Sequence, residues 1–97
     1  MMHGGWVYMM TNKPHGVLYI GVTADLPARV VQHRAGEGSK FCKRFNCTRL
    51  VYAEAHGTIT DAIAREKAMK AWQRAWKLRT IAESNPEWND LFDTLNH

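Results

Sequence analysis

Two short apolar runs rich in β-forming residues, Trp6 to Met10 and Val17 to Val22, flank the turn cluster Asn12-Lys13-Pro14-His15-Gly16, and this arrangement limits the possible folds more than any other feature of the chain. It reads as a β-hairpin. Both alternating sets of side chains are largely apolar, so the hairpin has two faces to bury and helices must cover both. Pairing Tyr8 with Tyr19 sets Met9 opposite Leu18 and Met10 opposite Val17, and puts the two tyrosines on one face.

The rest of the chain supplies the helices. Thr23-Ala24-Asp25-Leu26-Pro27 offers capping residues and a first-turn proline, which predicts a helix from Leu26 to Arg34, ended by Gly36 and Gly38. On it Arg29 and His33 are four apart and share a face. Ser39 to Phe45 adds a helical turn, and Arg49 to Ala55 reads as a third strand. Thr60 and Asp61 open a long helical pattern that runs to Ala82, with a break near Trp72 and Gln73, and Asn85-Pro86 stops it. A short helix is expected between Glu87 and Leu95. These elements predict an α+β fold, three strands with flanking helices, in one domain spanning residues 1–97.

Composition excludes several classes. A content of 45% hydrophobic residues with four Trp is far from that of a disordered chain. The longest unbroken apolar stretch is five residues, against about 18 for a membrane-spanning helix, so no membrane partner is expected. No secretory signal opens the sequence, which gives an expected cytoplasmic location. Cys42 and Cys47 read as free thiols, and their spacing to His33 and His56 matches no zinc pattern.

The net charge of +4 is unevenly distributed. Arg29 to Arg49 and Arg65 to Arg79 each hold six basic residues and one acid, whereas the segment from Thr80 onward carries four acids and no base. Such segregation points to an anionic polymer, with Lys40, Lys43, Arg44, Lys70 and Arg74 as candidate nucleic-acid contacts. Glu66 is the one acid between residues 62 and 79. A helical projection puts it at the seam between an apolar stripe, Ala62, Met69, Trp72 and Trp76, and a basic one, Lys67, Lys70, Arg74 and Lys77. A carboxylate there needs a cation, supplied by Lys70 at i,i+4 or by a metal ion.

The residues then resemble the GIY-YIG nuclease superfamily, in particular its small stand-alone bacterial members. Val7-Tyr8-Met9 is similar to a degenerate first motif and Tyr19-Ile20-Gly21 is an intact second one. Asp25-Leu26 with Arg29 and His33 resembles the helix that follows, Ala62-Ile63-Ala64-Arg65-Glu66-Lys67 the helix of the metal-binding glutamate, and Asn85-Pro86-Glu87-Trp88 the closing motif. The resemblance, which spans about residues 6–91, implies a three-stranded antiparallel sheet covered by helices on both sides and a metal-dependent endonuclease acting on DNA or RNA, structure-selective or weakly sequence-selective. Its implied catalytic residues are Tyr8, Tyr19, Arg29, His33 and Glu66, with Glu66 holding Mg²⁺ or Mn²⁺, Arg29 holding the phosphate, and Tyr8 with His33 activating water. Val22 stands where some members carry a lysine after Tyr-Ile-Gly, and Lys13 or Lys40 is the candidate replacement. Asn85 either supports the site or caps a helix. The competing readings are a non-catalytic nucleic-acid-binding module of the same fold and an adaptor dimerising through Trp-rich C-terminal helices.

Overall fold

The computed structural model describes residues 4–96. Strand β1 (Gly5–Thr11) lies at the centre of a three-stranded antiparallel sheet, between β2 (Leu18–Thr23) and β3 (Arg49–His56). Helices α1 (Leu26–Arg34) and α2 (Lys40–Phe45) cover one face; α3 (Ile59–Lys70) and α4 (Arg74–Ser84) cover the other. The two-sided burial expected from the apolar runs is therefore present. Tyr8, Met10 and Leu50 pack with Leu26, Val30, Cys42 and Cys47, while Val7, Met9, Ile20 and Val51 pack with Ala62, Met69, Ile81 and Trp88. A bulge in β3 opposite Met9 and Met10 puts the neighbours Val51 and Tyr52 on the same face, that of α3, while Leu50 serves the other.

The hairpin register differs from the expected one by two residues. Tyr8 lies opposite Gly21, Met9 opposite Ile20, Met10 opposite Tyr19 and Thr11 opposite Leu18. The turn sets this register. Val17 donates its N–H to Asn12 Oδ1 at 3.0 Å and so leaves the ladder, while Gly16 N–H closes on the Lys13 carbonyl at 2.9 Å. A two-residue shift preserves the faces, so Tyr8 and Tyr19 remain on the same side.

Local chemistry fixes the helix starts. Asp25 caps α1 by accepting from Ala28 N–H, Ser39 caps α2 through Cys42 N–H, and Thr58 caps α3 through Asp61 N–H, two residues ahead of the expected start. The long helical pattern does break, at Ala71 to Gln73. Because the break changes the helical phase, the apolar stripe does not continue across it: Ala62 and Met69 are buried, Trp72 is half-buried, and Trp76 stays 46% exposed rather than docking on the sheet.

The closing segment is a strap, not the expected helix from Glu87 to Leu95; only Phe92–Asn96 is helical, as a 3₁₀ turn. It runs along the outer edge of β3, where Leu91 N–H donates to Leu50 O at 2.8 Å and Asp90 accepts from Leu50 N–H and pairs with Arg34. Asn85, 5% exposed, donates to the Val51 and Asn89 carbonyls at 3.1 and 2.9 Å and accepts from Asn89 N–H at 3.0 Å. Both ends of its amide are occupied in holding the strap. Asn85→Ala is expected to cost about 1–2 kcal/mol by leaving these backbone groups unpaired, read as a lowered melting temperature; an unchanged melt would rule out this structural role.

Candidate active site

Four of the expected site residues converge on the α1 face of the hairpin. Tyr8 projects from β1 under α1, and its hydroxyl meets His33 Nε2 at 2.7 Å. Tyr19 completes an aromatic group, with ring centroids 6.2 Å from Tyr8 and 5.2 Å from His33. Arg29, one turn before His33 on α1, is close enough for its guanidinium to act on both Tyr8 and His33. Tyr8 and His33 are buried, whereas Tyr19 and Arg29 are half-exposed, so the latter two form the accessible layer.

Gly21 explains why this arrangement fits. A Cβ at that position would lie 2.4 Å from the Tyr8 oxygen and 2.9 Å from the Tyr19 ring. The bare backbone of β2 is therefore the space in which the Tyr8 hydroxyl sits. Gly38, in the loop from α1 to α2, closes the opposite side: a Cβ there would approach His33 Nδ1 to 2.7 Å. Among the described residues Nδ1 has no hydrogen-bond partner.

The electrostatics favour a neutral pair. Burial pushes the Tyr8 hydroxyl well above its ordinary pKa, with Tyr19 adding to the rise and Arg29 opposing it. Burial lowers the His33 pKa below its ordinary 6.5, and the Arg29 cation lowers it further. Neutral His33 is thus available as a proton acceptor, with its Nε2 on the tyrosine. The unfolded chain binds this proton more readily than the folded one, so the linkage has a definite sign: stability is lost as pH falls from about 6.5 toward the lower folded pKa. The melting temperature is expected to drop between pH 7 and pH 5, and His33→Gln should flatten that part of the curve. An equal slope in the variant would remove His33 as its source.

Glu66 lies apart from this group. It sits on α3, on the other face of the sheet, with its side chain 14% exposed and Lys70 Nζ 3.1 Å from its carboxylate. The i,i+4 lysine is thus its cation in this structure. A cavity of about 210 Å³ opens between the two halves at β2, lined by Leu18, Tyr19, Ile20, Phe41, Lys70 and Lys77. Neighbours on β2 face opposite sides, so Tyr19 comes from the His33 side and Leu18 and Ile20 from the Glu66 side.

The other basic candidates divide. Lys40, Lys43 and Arg44 are exposed on α2, Arg44 lying 5.3 Å over the Phe45 ring. Arg74 instead donates to the His15 and Gly16 carbonyls at 3.1 and 2.8 Å, so it braces the hairpin turn. Lys77, which the helical projection set in the basic stripe but not among the candidate contacts, and Phe41, which the sequence did not single out, are cavity residues. The break at Ala71 to Gln73 puts Lys77 on a separate helix from Lys70, and Phe41 carries no signal beyond being apolar among basic neighbours. Cys42 and Cys47 are buried free thiols, with the Cys42 pKa pushed up to about 12 by burial. Among the described residues no three His, Cys, Asp or Glu side chains gather into a metal cluster, and no helix is long and apolar enough to cross a membrane.

The GIY-YIG catalytic domain matches residues 4–79. A UPF0213 protein of Staphylococcus aureus strain N315 is 41% identical over 82 residues, covering 84% of this chain and 99% of that protein. A UPF0213 protein of Staphylococcus saprophyticus is 35% identical over 78 residues, covering 80% and 94%, and one of Staphylococcus epidermidis strain RP62A is 40% identical over 68 residues, covering 70% and 83%. No solved structure is a significant match. The domain match spans most of the chain, including both tyrosine motifs, the α1 residues and Glu66, and these relatives align over nearly their whole lengths; the chain belongs to the GIY-YIG family, whose domain is of the nuclease type.

Proposed function

We propose that the protein is a metal-dependent endonuclease that hydrolyses phosphodiester bonds in DNA, with structural or weak sequence selectivity. The observation that carries this reading is the 2.7 Å contact between Tyr8 and a neutral His33 beside Arg29, in a chain matched by a nuclease-type catalytic domain.

Each residue has a separate task. Arg29 receives the scissile phosphate on its guanidinium fork, whose paired donors match two phosphate oxygens. Tyr19, half-exposed beside it, orients the incoming water or phosphate. Tyr8 takes the water proton while its own proton passes to His33 Nε2, so neither tyrosinate nor free hydroxide accumulates. The lowered His33 pKa keeps that acceptor neutral at neutral pH.

The donor set fits Mg²⁺ or Mn²⁺. One well-enclosed carboxylate on Glu66, whose present partner is a half-exposed lysine, suits an ion that binds through one or two carboxylates and fills its shell with water and phosphate oxygens. Glu66 would hold the ion; when bound, it supplies positive charge for the departing 3′ oxygen. Exposed Lys40, Lys43 and Arg44 would contact flanking phosphates.

The test is incubation of the protein with labelled single-stranded, duplex, flapped and branched DNA and with RNA, in Mg²⁺, Mn²⁺ or EDTA. Cleavage that needs metal and disappears in Arg29→Ala and Tyr8→Phe supports the proposal. Binding without cleavage in any metal would make the protein a nucleic-acid-binding module built on a nuclease fold.

A further inference from the structure

The cavity at β2 is charged in one sense. Lys70 and Lys77 reach it from α3 and α4, no acid is among its lining residues, and Phe41, 39% exposed, forms an apolar wall with its ring 6.1 Å from Tyr19. Two ammonium groups beside an aromatic surface suit a phosphate with its sugar or base attached. Yet Lys70 is engaged elsewhere. Its Nζ lies 3.1 Å from Glu66, and the two ends of that pair differ: Glu66 is 14% exposed and held, whereas the Lys70 side chain is 53% exposed on a flexible stem. An i,i+4 pair with its lysine largely in solvent is weak.

We propose that this cavity is a subsite for the phosphate of the nucleotide next to the scissile bond, and that Lys70 is a placeholder cation, held on Glu66 until a divalent ion replaces it and then released to join Lys77 on that phosphate. The proposal rests on the nuclease reading of Glu66. It also accounts for Val22, which occupies the position after Tyr-Ile-Gly and packs on the α3 side of the sheet. The cation absent from β2 arrives on that same side from α3, in place of the expected Lys13 or Lys40. Lys70 thereby becomes a positioning residue that links the two ligands. By reciprocity, metal strengthens nucleotide binding by the same factor as nucleotide strengthens metal binding.

The experiment pairs thermal melts in a Mg²⁺ titration with anisotropy of a cleavage-resistant phosphorothioate oligonucleotide in Mg²⁺ and in EDTA. It uses the wild-type chain, Lys70→Gln, Lys77→Gln and Glu66→Gln. Lys70→Gln is expected to bind Mg²⁺ several-fold more tightly, because the competing ammonium is gone, while Lys77→Gln leaves Mg²⁺ affinity near wild type. In Mg²⁺ both lysine variants should weaken oligonucleotide binding and lower its salt slope by about one counterion; in EDTA only Lys77→Gln should do so. Inorganic phosphate serves as the competing source of the same chemistry. If it protects the wild type from melting as well as the oligonucleotide does, and through Lys77, the site is for free phosphate and the nucleotide assignment is overturned. Unchanged Mg²⁺ and oligonucleotide affinity in Lys70→Gln overturns the placeholder alone. A wild type that binds Mg²⁺ no better than Glu66→Gln overturns both this proposal and the metal site beneath it.

Discussion

Glu66→Gln is expected to lower metal-dependent cleavage by at least about 100-fold, a loss comparable to removing one transition-state charge stabiliser, while the fold survives. The amide keeps the shape of the carboxylate and removes its charge. What it breaks in the metal-free protein is one ion pair with a half-exposed Lys70, worth about 0.3–0.5 kcal/mol for an i,i+4 helix pair. Melting in EDTA should therefore move little, whereas the stabilisation that Mg²⁺ gives the wild type should vanish. Cleavage assays beside melts with and without Mg²⁺ separate the outcomes. A variant that melts much lower yet still cuts would make Glu66 a structural partner of Lys70 and leave the metal without a ligand.

The second large effect is expected at Gly21, which touches no substrate in the proposed scheme. In Gly21→Ala the new methyl would meet the Tyr8 oxygen at 2.4 Å and its ring at 2.5 Å, with the Tyr19 ring at 2.9 Å. Tyr8 cannot retreat, since it is fully buried on the central strand under α1. Overpacking of this kind costs about 3 kcal/mol, which in a domain of this size lowers the melting temperature by roughly 12 °C or more. The Tyr8 to His33 hydrogen bond should break, and activity should fall further than stability predicts. Nuclear magnetic resonance of the His33 ring reports the contact directly. A Gly21→Ala protein with wild-type melting and an unchanged His33 resonance would show that β2 yields at this point.

These two positions also show what a sequence can and cannot reveal. The α+β class, the strands and the α1 limits were legible because alternation, capping residues and proline act locally, within a few residues of where their effects appear. Register was not. The expected pairing of Tyr8 with Tyr19 is a reasonable aromatic match, but Asn12 removes Val17 from the ladder and the Tyr8 ring needs the bare Gly21 opposite it. Both facts are three-dimensional. Tyr8 and Tyr19 on one sheet face, and Arg29 and His33 on one helix face, were legible from local spacing, whereas the meeting of the two pairs was implied only by the family resemblance. Lys70 and Lys77 were legible as members of one basic stripe, but the cavity they share with Phe41 was not, because the chain bends at Ala71 to Gln73 and Phe41 comes from a distant helix.

The strap along β3 bears on how this protein behaves at high concentration. Strand edges recruit other strands, and growth of an open-ended ribbon requires two free edges on every copy. Here Leu91 and Asp90 occupy the Leu50 backbone groups and Asn85 occupies the Val51 carbonyl, so the outer side of β3 is already taken at Leu50 and Val51. The opposite edge of the sheet, β2, is flanked by Lys70 and Lys77, whose like charges oppose a second β2 laid against it. Edge-to-edge pairing at the Leu50 end of β3 is therefore blocked, and a chain shortened before Asn85 would lose that protection along with the strap.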